Sequence, residues 1–201
     1  SDEALKQFSK AAKAGAEPAA TLRIVGLLDR TDRVAGADTE LAAALRRFPE
    51  DASVLGYAAQ RSLAQGKTDK AVELLQKVAL KNPGNPALLN DLAWAQIQAK
   101  NPKAIDNALM AAQMMPDNPN VLDTLGVAQA LAGKRDEGIA SLRTAVNLAP
   151  ISPIPRIHLA EQLIAAGDKK GAVAALIPVD ASRLDKLDQV KLAQLIKTAQ
   201  N

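Results

Sequence analysis

Apolar residues along this chain recur at the three- and four-residue spacing of helices, and the stretches that carry them come in pairs. Leu55, Ala58 and Ala59 mark one helix and Ala71, Leu75 and Val78 the next, with Gly66 between them and Pro83 after. The same order returns as Leu122, Leu125 and Gly126, then Gly133, then Gly138, Leu142 and Ala145, closed by Pro150. Val and Ile occur, but not in the alternating runs a sheet needs. Pro49, Pro83, Pro116 and Pro150 close successive copies, spaced 34, 33 and 34 residues apart. Each recurring residue has a physical task. Small residues let the two helices of a pair approach closely. The glycine takes the left-handed conformation that ends the first helix. The proline ends the second helix and stiffens the turn that follows. The pattern predicts an all-α chain of antiparallel helix pairs.

A period of about 34 residues with these features resembles the tetratricopeptide repeat (TPR). The resemblance implies a right-handed superhelical solenoid of about twelve helices forming a single domain over 1–201. Repeats are expected at 18–51, 52–85, 86–118, 119–152 and 153–180. Half a repeat is expected at 1–17 and a capping helix at 183–200. The middle copy keeps Leu89, Leu92, Ala93, Ala104, Ala108, Ala111 and Pro116, but its Lys100-Asn101-Pro102-Lys103 turn is one residue short. Pro102 then fits as an early residue of the second helix. The copy at 18–51 lacks the turn glycine. In the last copy the second helix is expected to stop at Pro178. The capping helix shows an apolar stripe of Leu184, Leu187, Leu192, Leu195 and Ile196. A chain that starts at Ser1 in mid-repeat reads as a piece of a longer protein, and its unpaired first helix suggests dimerisation at the cut.

Composition narrows the function. The chain is 48% hydrophobic but only 2% aromatic, so Ala and Leu must build the core. The net charge is +3, and the basic pairs Arg46-Arg47, Lys134-Arg135 and Lys169-Lys170 are separated by acidic residues. Nucleic-acid binding wants a concentrated basic stripe with stacking aromatics, so none is expected. The absence of cysteine excludes disulfides and thiolate metal sites. No apolar run reaches the ~18 residues of a membrane span. Gly66-Lys67-Thr68 resembles the tail of a phosphate loop, but Arg61 stands where that loop needs glycine. His158, the lone histidine, reads as a half-exposed helix residue, and nothing singles out a pair of carboxylates. No catalytic residue, cofactor or metal is expected.

The TPR resemblance also implies that first helices line a concave face, into which repeat positions 2, 5, 9, 12 and 13 point. That mapping gives a partner-binding set of Gln60, Asn90, Trp94, Ile97, Asp123, Val127, Ile157 and Glu161. Leu22, Gly26, Asp29 and Ile164 fall on the same face. Trp94 is either an anchor in the groove or a core residue packed between adjacent first helices. Met110, Met114 and Met115 lie on a second helix and read as packing. One TPR subfamily clamps C-terminal carboxylates with Lys and Asn. The matching positions here hold Leu22 with Gly26, Gly56 with Gln60, and Asn90 with Trp94, so that activity is not expected.

A narrower resemblance rests on Asn90-Asp91-Leu92-Ala93-Trp94, the shortened turn, and the run from Pro119 to Gly126. Over residues 52–180 these are similar to the TPR-repeat lipoproteins of bacterial exosortase (PEP-CTERM) systems. Val127 departs from that group, which has a second Trp there. The resemblance implies a periplasmic place in the cell envelope, an N-terminal lipid anchor outside this sequence, and a part in exopolysaccharide export or protein sorting. Composition by itself suits the cytoplasm equally. The function expected is a non-catalytic scaffold that holds a peptide or helix of a protein partner. A structural or glycan-contacting part in polysaccharide secretion, and the regulatory arm of an enzyme lying before residue 1, are the rivals.

Overall fold

The computed structural model describes residues 17–200. The half repeat expected at 1–17, and the dimer edge drawn from it, lie outside the described residues apart from Glu17. Eleven α-helices and one short 3-10 turn, Ala181–Arg183, occur among the described residues. The helices are α1 Pro18–Arg30, α2 Val34–Arg47, α3 Ala52–Ala64, α4 Thr68–Lys81, α5 Pro86–Gln98, α6 Ala104–Met114, α7 Pro119–Leu131, α8 Arg135–Leu148, α9 Pro153–Ala165, α10 Lys169–Leu176 and α11 Lys186–Gln200. Each of α1 to α10 packs on its partner as an antiparallel pair, and substantial contacts join only neighbours and next neighbours along the chain.

Local chemistry places the ends. Four first helices open on a proline, whose missing N–H costs nothing at that position. Asp51 caps α3 by accepting the Ser53 and Val54 N–H groups, both at 3.0 Å. Asn85 and Asn118 cap α5 and α7 in the same way. Pro49, Pro83, Pro116 and Pro150 each stand two residues past the last helical residue of α2, α4, α6 and α8.

The turns inside the pairs share one device. Gly66, Gly133 and Gly167 have φ of 71°, 82° and 83°. Asp32 and Lys100 take the same left-handed conformation, at 59° and 54°. Asp32 therefore replaces the glycine missing from the first copy, as a short polar side chain can. In the middle copy the deleted residue lies between Lys100 and the helix that follows. The helix α6 begins at Ala104 itself, whereas α4 begins three residues before the equivalent Ala71. Pro102 thus stands in the turn, not in the second helix as expected. Asn101 holds that turn by accepting the Lys103 N–H at 3.0 Å.

The chain divides into two compact units, Ser1–Pro83 and Gly84–Asn201. In the first, Val25, Ala37, Ala59 and Ala71 are fully buried; in the second, Ala93, Ala104, Ala160 and Ala172 are. Gly126 and Gly138 occupy the equivalent places in α7 and α8, and there the backbones touch. A Cβ on Gly126 would lie 2.6 Å from Leu142 Cγ and 2.8 Å from the Gly138 carbonyl oxygen. A Cβ on Gly138 would lie 2.5 Å from the Gly126 oxygen.

At the C-terminal end α10 stops at Leu176, just before Pro178, and α11 buries Leu192 and Ala199. Leu187 departs from the expected stripe and is 78% exposed. It lies about 140° around the helix from Leu192, off the covered side. Met115 packs against the core, but Met110 and Met114 are exposed on the outer side of α6, contrary to the packing expected of them. No helix among the described residues is long and apolar enough to cross a membrane.

The contact at Gly126 makes a clear test. Gly126→Ala should destabilise the second unit by about 1–3 kcal/mol, because backbone cannot yield as a side-chain tip can. Gly56→Ala, on a helix position with nothing within 4 Å of the new Cβ, should stabilise by up to about 1 kcal/mol. Urea unfolding of the two variants measures both. A second test concerns Glu73, which accepts from Lys70 and Lys77, each at 2.8 Å. Those hydrogen bonds and charges lower its carboxyl from 4.5 to about 2. Its stabilisation is present above 4.5 and is lost as pH falls through the folded value. The pairs are exposed, so Glu73→Gln should cost only about 0.5 kcal/mol at pH 7 and almost nothing at pH 2.

Candidate functional site

In the second unit α7 packs against both α5 and α9, so three first helices lie side by side. Of these, α5 has the most distinct open face. Asn90, Asp91, Trp94 and Gln98 fall within an arc of about 100°. The rest of the helix turns Leu89, Leu92, Ala93, Ala95, Gln96 and Ile97 inward. Trp94 is half-buried. One side packs on the cluster that contains Leu89, Ala93, Val121 and Leu125. Its ring also meets the imidazole of His158 on α9, with centroids 5.5 Å apart and planes tilted by 40°. Trp94 thus packs on the core with one part of its ring and keeps the rest open.

His158 is not the half-exposed residue expected. It and Asp123 of α7 are each only 7% exposed, and Nδ1 lies 2.9 Å from both carboxylate oxygens. A carboxylate only accepts, so the proton that joins the pair sits on Nδ1. The pair fixes the ring orientation, and the ring in turn supports Trp94. One buried contact set thus ties α5, α7 and α9 together. Sequence reading missed it because Asp123 and His158 are 35 residues apart, far beyond any motif. The usable signal was the repeat phase, which puts them at adjacent positions of consecutive first helices.

Beside Trp94 the open face is short of donors. The Asn90 Oδ1 is buried and has no hydrogen-bond partner. Burial raises the Asp91 carboxyl above its ordinary value, and a hydrogen bond to Asn90 opposes this only in part. Asp91 is nonetheless open to solvent.

Of the eight residues expected to line the groove, Asn90, Trp94, Asp123 and Val127 are brought together, with His158 added. Val127 is half-buried and touches the clusters on both sides of it. Ile97 and Ile157 do not line a groove; both are core residues. Ile157 shares repeat position 5 with the buried Asp123, on a flank that neighbouring helices cover. Glu161 is half-exposed and pairs with Lys191 of α11 at 2.9 Å, so it ties down the cap. Gln60 is exposed and belongs to the first unit. There Asp29 is also engaged: it accepts from the Tyr57 hydroxyl at 3.0 Å and pairs with Arg61, which reaches Asp38 at 3.1 Å as well. That network fastens α1, α2 and α3, with the Arg61 guanidinium shared between two carboxylates.

No group of three or more His, Asp or Glu side chains is placed to hold a metal among the described residues. What the α5 face offers is an aromatic surface, an unpaired amide oxygen and a carboxylate.

The comparisons agree with this architecture. The tetratricopeptide repeat family model matches residues 62–104. A thermophilic TPR protein from Thermus thermophilus is 23% identical, covers 90% of this chain over 100% of its own, and superposes with a TM-score of 0.72. A tetratricopeptide repeat protein from Parabacteroides merdae is 15% identical, with 98% and 91% covered and a TM-score of 0.76. YrrB, described as a TPR protein with an unusual peptide-binding site, is 15% identical, with 93% and 97% covered and a TM-score of 0.63. No curated protein matches the sequence. The chain has the fold of TPR proteins: all-α, with helices in sequential antiparallel pairs.

The buried pair yields a double-mutant test. His158→Leu should cost about 3 kcal/mol, because it strands the Asp123 carboxylate away from water. Adding Asp123→Leu should return part of that loss, since both polar groups are then gone. Denaturant unfolding of the single and double variants measures the coupling. Additive costs would show that the two side chains do not act as a pair.

Proposed function

We propose that this chain is a non-catalytic scaffold that holds an extended peptide or a helix of a protein partner against the first helices of its second unit, with Trp94 as the anchor. The observation that carries this reading is the state of Trp94. Its ring is braced from behind by His158 and Asp123 while part of it stays open, beside the buried, unpartnered Asn90 Oδ1. A large aromatic held rigid and half open gives contact area with little ordering cost. The TPR fold supports the class of function, and YrrB, which shares the fold, is described as binding a peptide.

Prolines recur every 33 or 34 residues from Pro49 to Pro150, which supports reading the chain as a series of repeats in a single domain. The finer setting is the bacterial envelope, in exopolysaccharide export or protein sorting, through a lipid anchor outside this sequence. It is supported by the run from Asn90 to Trp94 and the run from Pro119 to Gly126. A direct glycan contact is disfavoured by the aromatic content, since Trp94 is the chain's one tryptophan.

Peptides selected by display against the purified chain test the proposal. Trp94→Ala should weaken their binding about 10- to 30-fold by calorimetry. Helicity by circular dichroism should be retained. Unchanged affinity would remove Trp94 from the site, and lost helicity would assign it to packing alone.

A further inference from the structure

We infer that the open face of α5 receives a cationic side chain, a lysine or arginine of the bound peptide, with Trp94 as its π platform and Asp91 as its counter-charge. This rests on the peptide-binding reading above and specifies the chemistry of the ligand.

The open face of α5 is unevenly matched in charge. Its three acidic neighbours differ in one respect. Asp123 is hydrogen-bonded to the His158 Nδ1, and Glu161 is paired with Lys191. Asp91 has only the neutral Asn90 beside it, and no cation contributes to its electrostatics. A carboxylate crowded by protein without a counter-charge is unfavourable, and a ligand cation removes that penalty. Trp94, three residues on along the same face, is the aromatic that best attracts a cation over its ring. The Asn90 Oδ1 supplies the third element. It is a buried acceptor without a donor, and it lies within the same arc as Trp94 and Asp91.

These three features discriminate among ligands. An anionic peptide meets an unmatched carboxylate and an acceptor oxygen. A neutral peptide leaves Asp91 uncompensated. A choline headgroup of a lipid has the charge but no N–H for the Asn90 oxygen. An ammonium or guanidinium group on a peptide has both.

The test uses the chain's one tryptophan as the reporter. Three acetylated and amidated five-residue peptides, alternating glycine with arginine, glutamine or glutamate, are titrated against the whole chain while Trp94 emission is read. Phosphatidylcholine vesicles form a fourth arm. The arginine peptide should shift the emission saturably, at least about tenfold more tightly than the glutamine peptide, and the glutamate peptide and vesicles should do nothing. Asp91→Asn should weaken the arginine peptide about three- to tenfold, leave the glutamine peptide unchanged, and keep or raise the unfolding midpoint, since it removes a crowded charge. Equal response to all three peptides, a response to vesicles, insensitivity to Asp91→Asn, or no response up to ~10 mM would each overturn the inference. Display-selected peptides that need Trp94 but carry no lysine or arginine would overturn it while leaving peptide binding intact. If no ligand of any charge depends on Trp94, both readings fall together.

Discussion

Where the two helices of a repeat cross, their backbones meet with only small side chains between them. In α7 and α8 the separation is set by Gly126 and Gly138, and alanines fill the equivalent places of the other pairs, with Val25 in the first. That constraint explains the composition. A core whose central contacts are backbone against backbone gains its cohesion from many short dispersion contacts. It has little room for rings, and aromatic residues are accordingly scarce. Larger side chains are displaced to the flanks of the helices, which is where Trp94 and His158 meet.

Much of this was legible in the sequence because the constraint recurs. A small residue needed at one crossing is needed at every crossing, so Ala71, Ala104, Gly138 and Ala172 announce their helices by position. The prolines do the same for the helix ends. The places that misled are those where the repeat solved a common problem in a different way. Asp32 and Lys100 adopt a conformation usually left to glycine, and nothing in their identity reveals it. Pro102 looks like a helix opener, but the missing residue beside it delays the helix to Ala104. Leu187 looks like part of an apolar stripe, yet it lies about 140° around α11 from the buried Leu192, off the covered side.

The candidate site was less legible, for a physical reason. Repeat phase tells which helix a residue occupies and roughly which way it faces. It does not tell whether the neighbouring repeat will cover that face. Ile97, Ile157 and Asp123 all mapped to the groove and are all covered. Only Asp123 found a polar partner there, and that partner made the difference. An aspartate covered by its neighbours is tolerable because His158 reaches it, and a histidine held in place gives Trp94 something firm to rest on. The α5 face owes its rigidity to residues on α7 and α9.

Among the described residues contacts are local in sequence: every substantial one joins a helix to the next or to the one after. A polymer organised this way has low contact order, so little loop-closure entropy stands between the unfolded chain and its first native contacts. Nucleation can begin in any pair and spread to its neighbours. The same locality allows an end pair to detach without a global transition, so protection from hydrogen exchange should grade from the ends of such an array toward its interior.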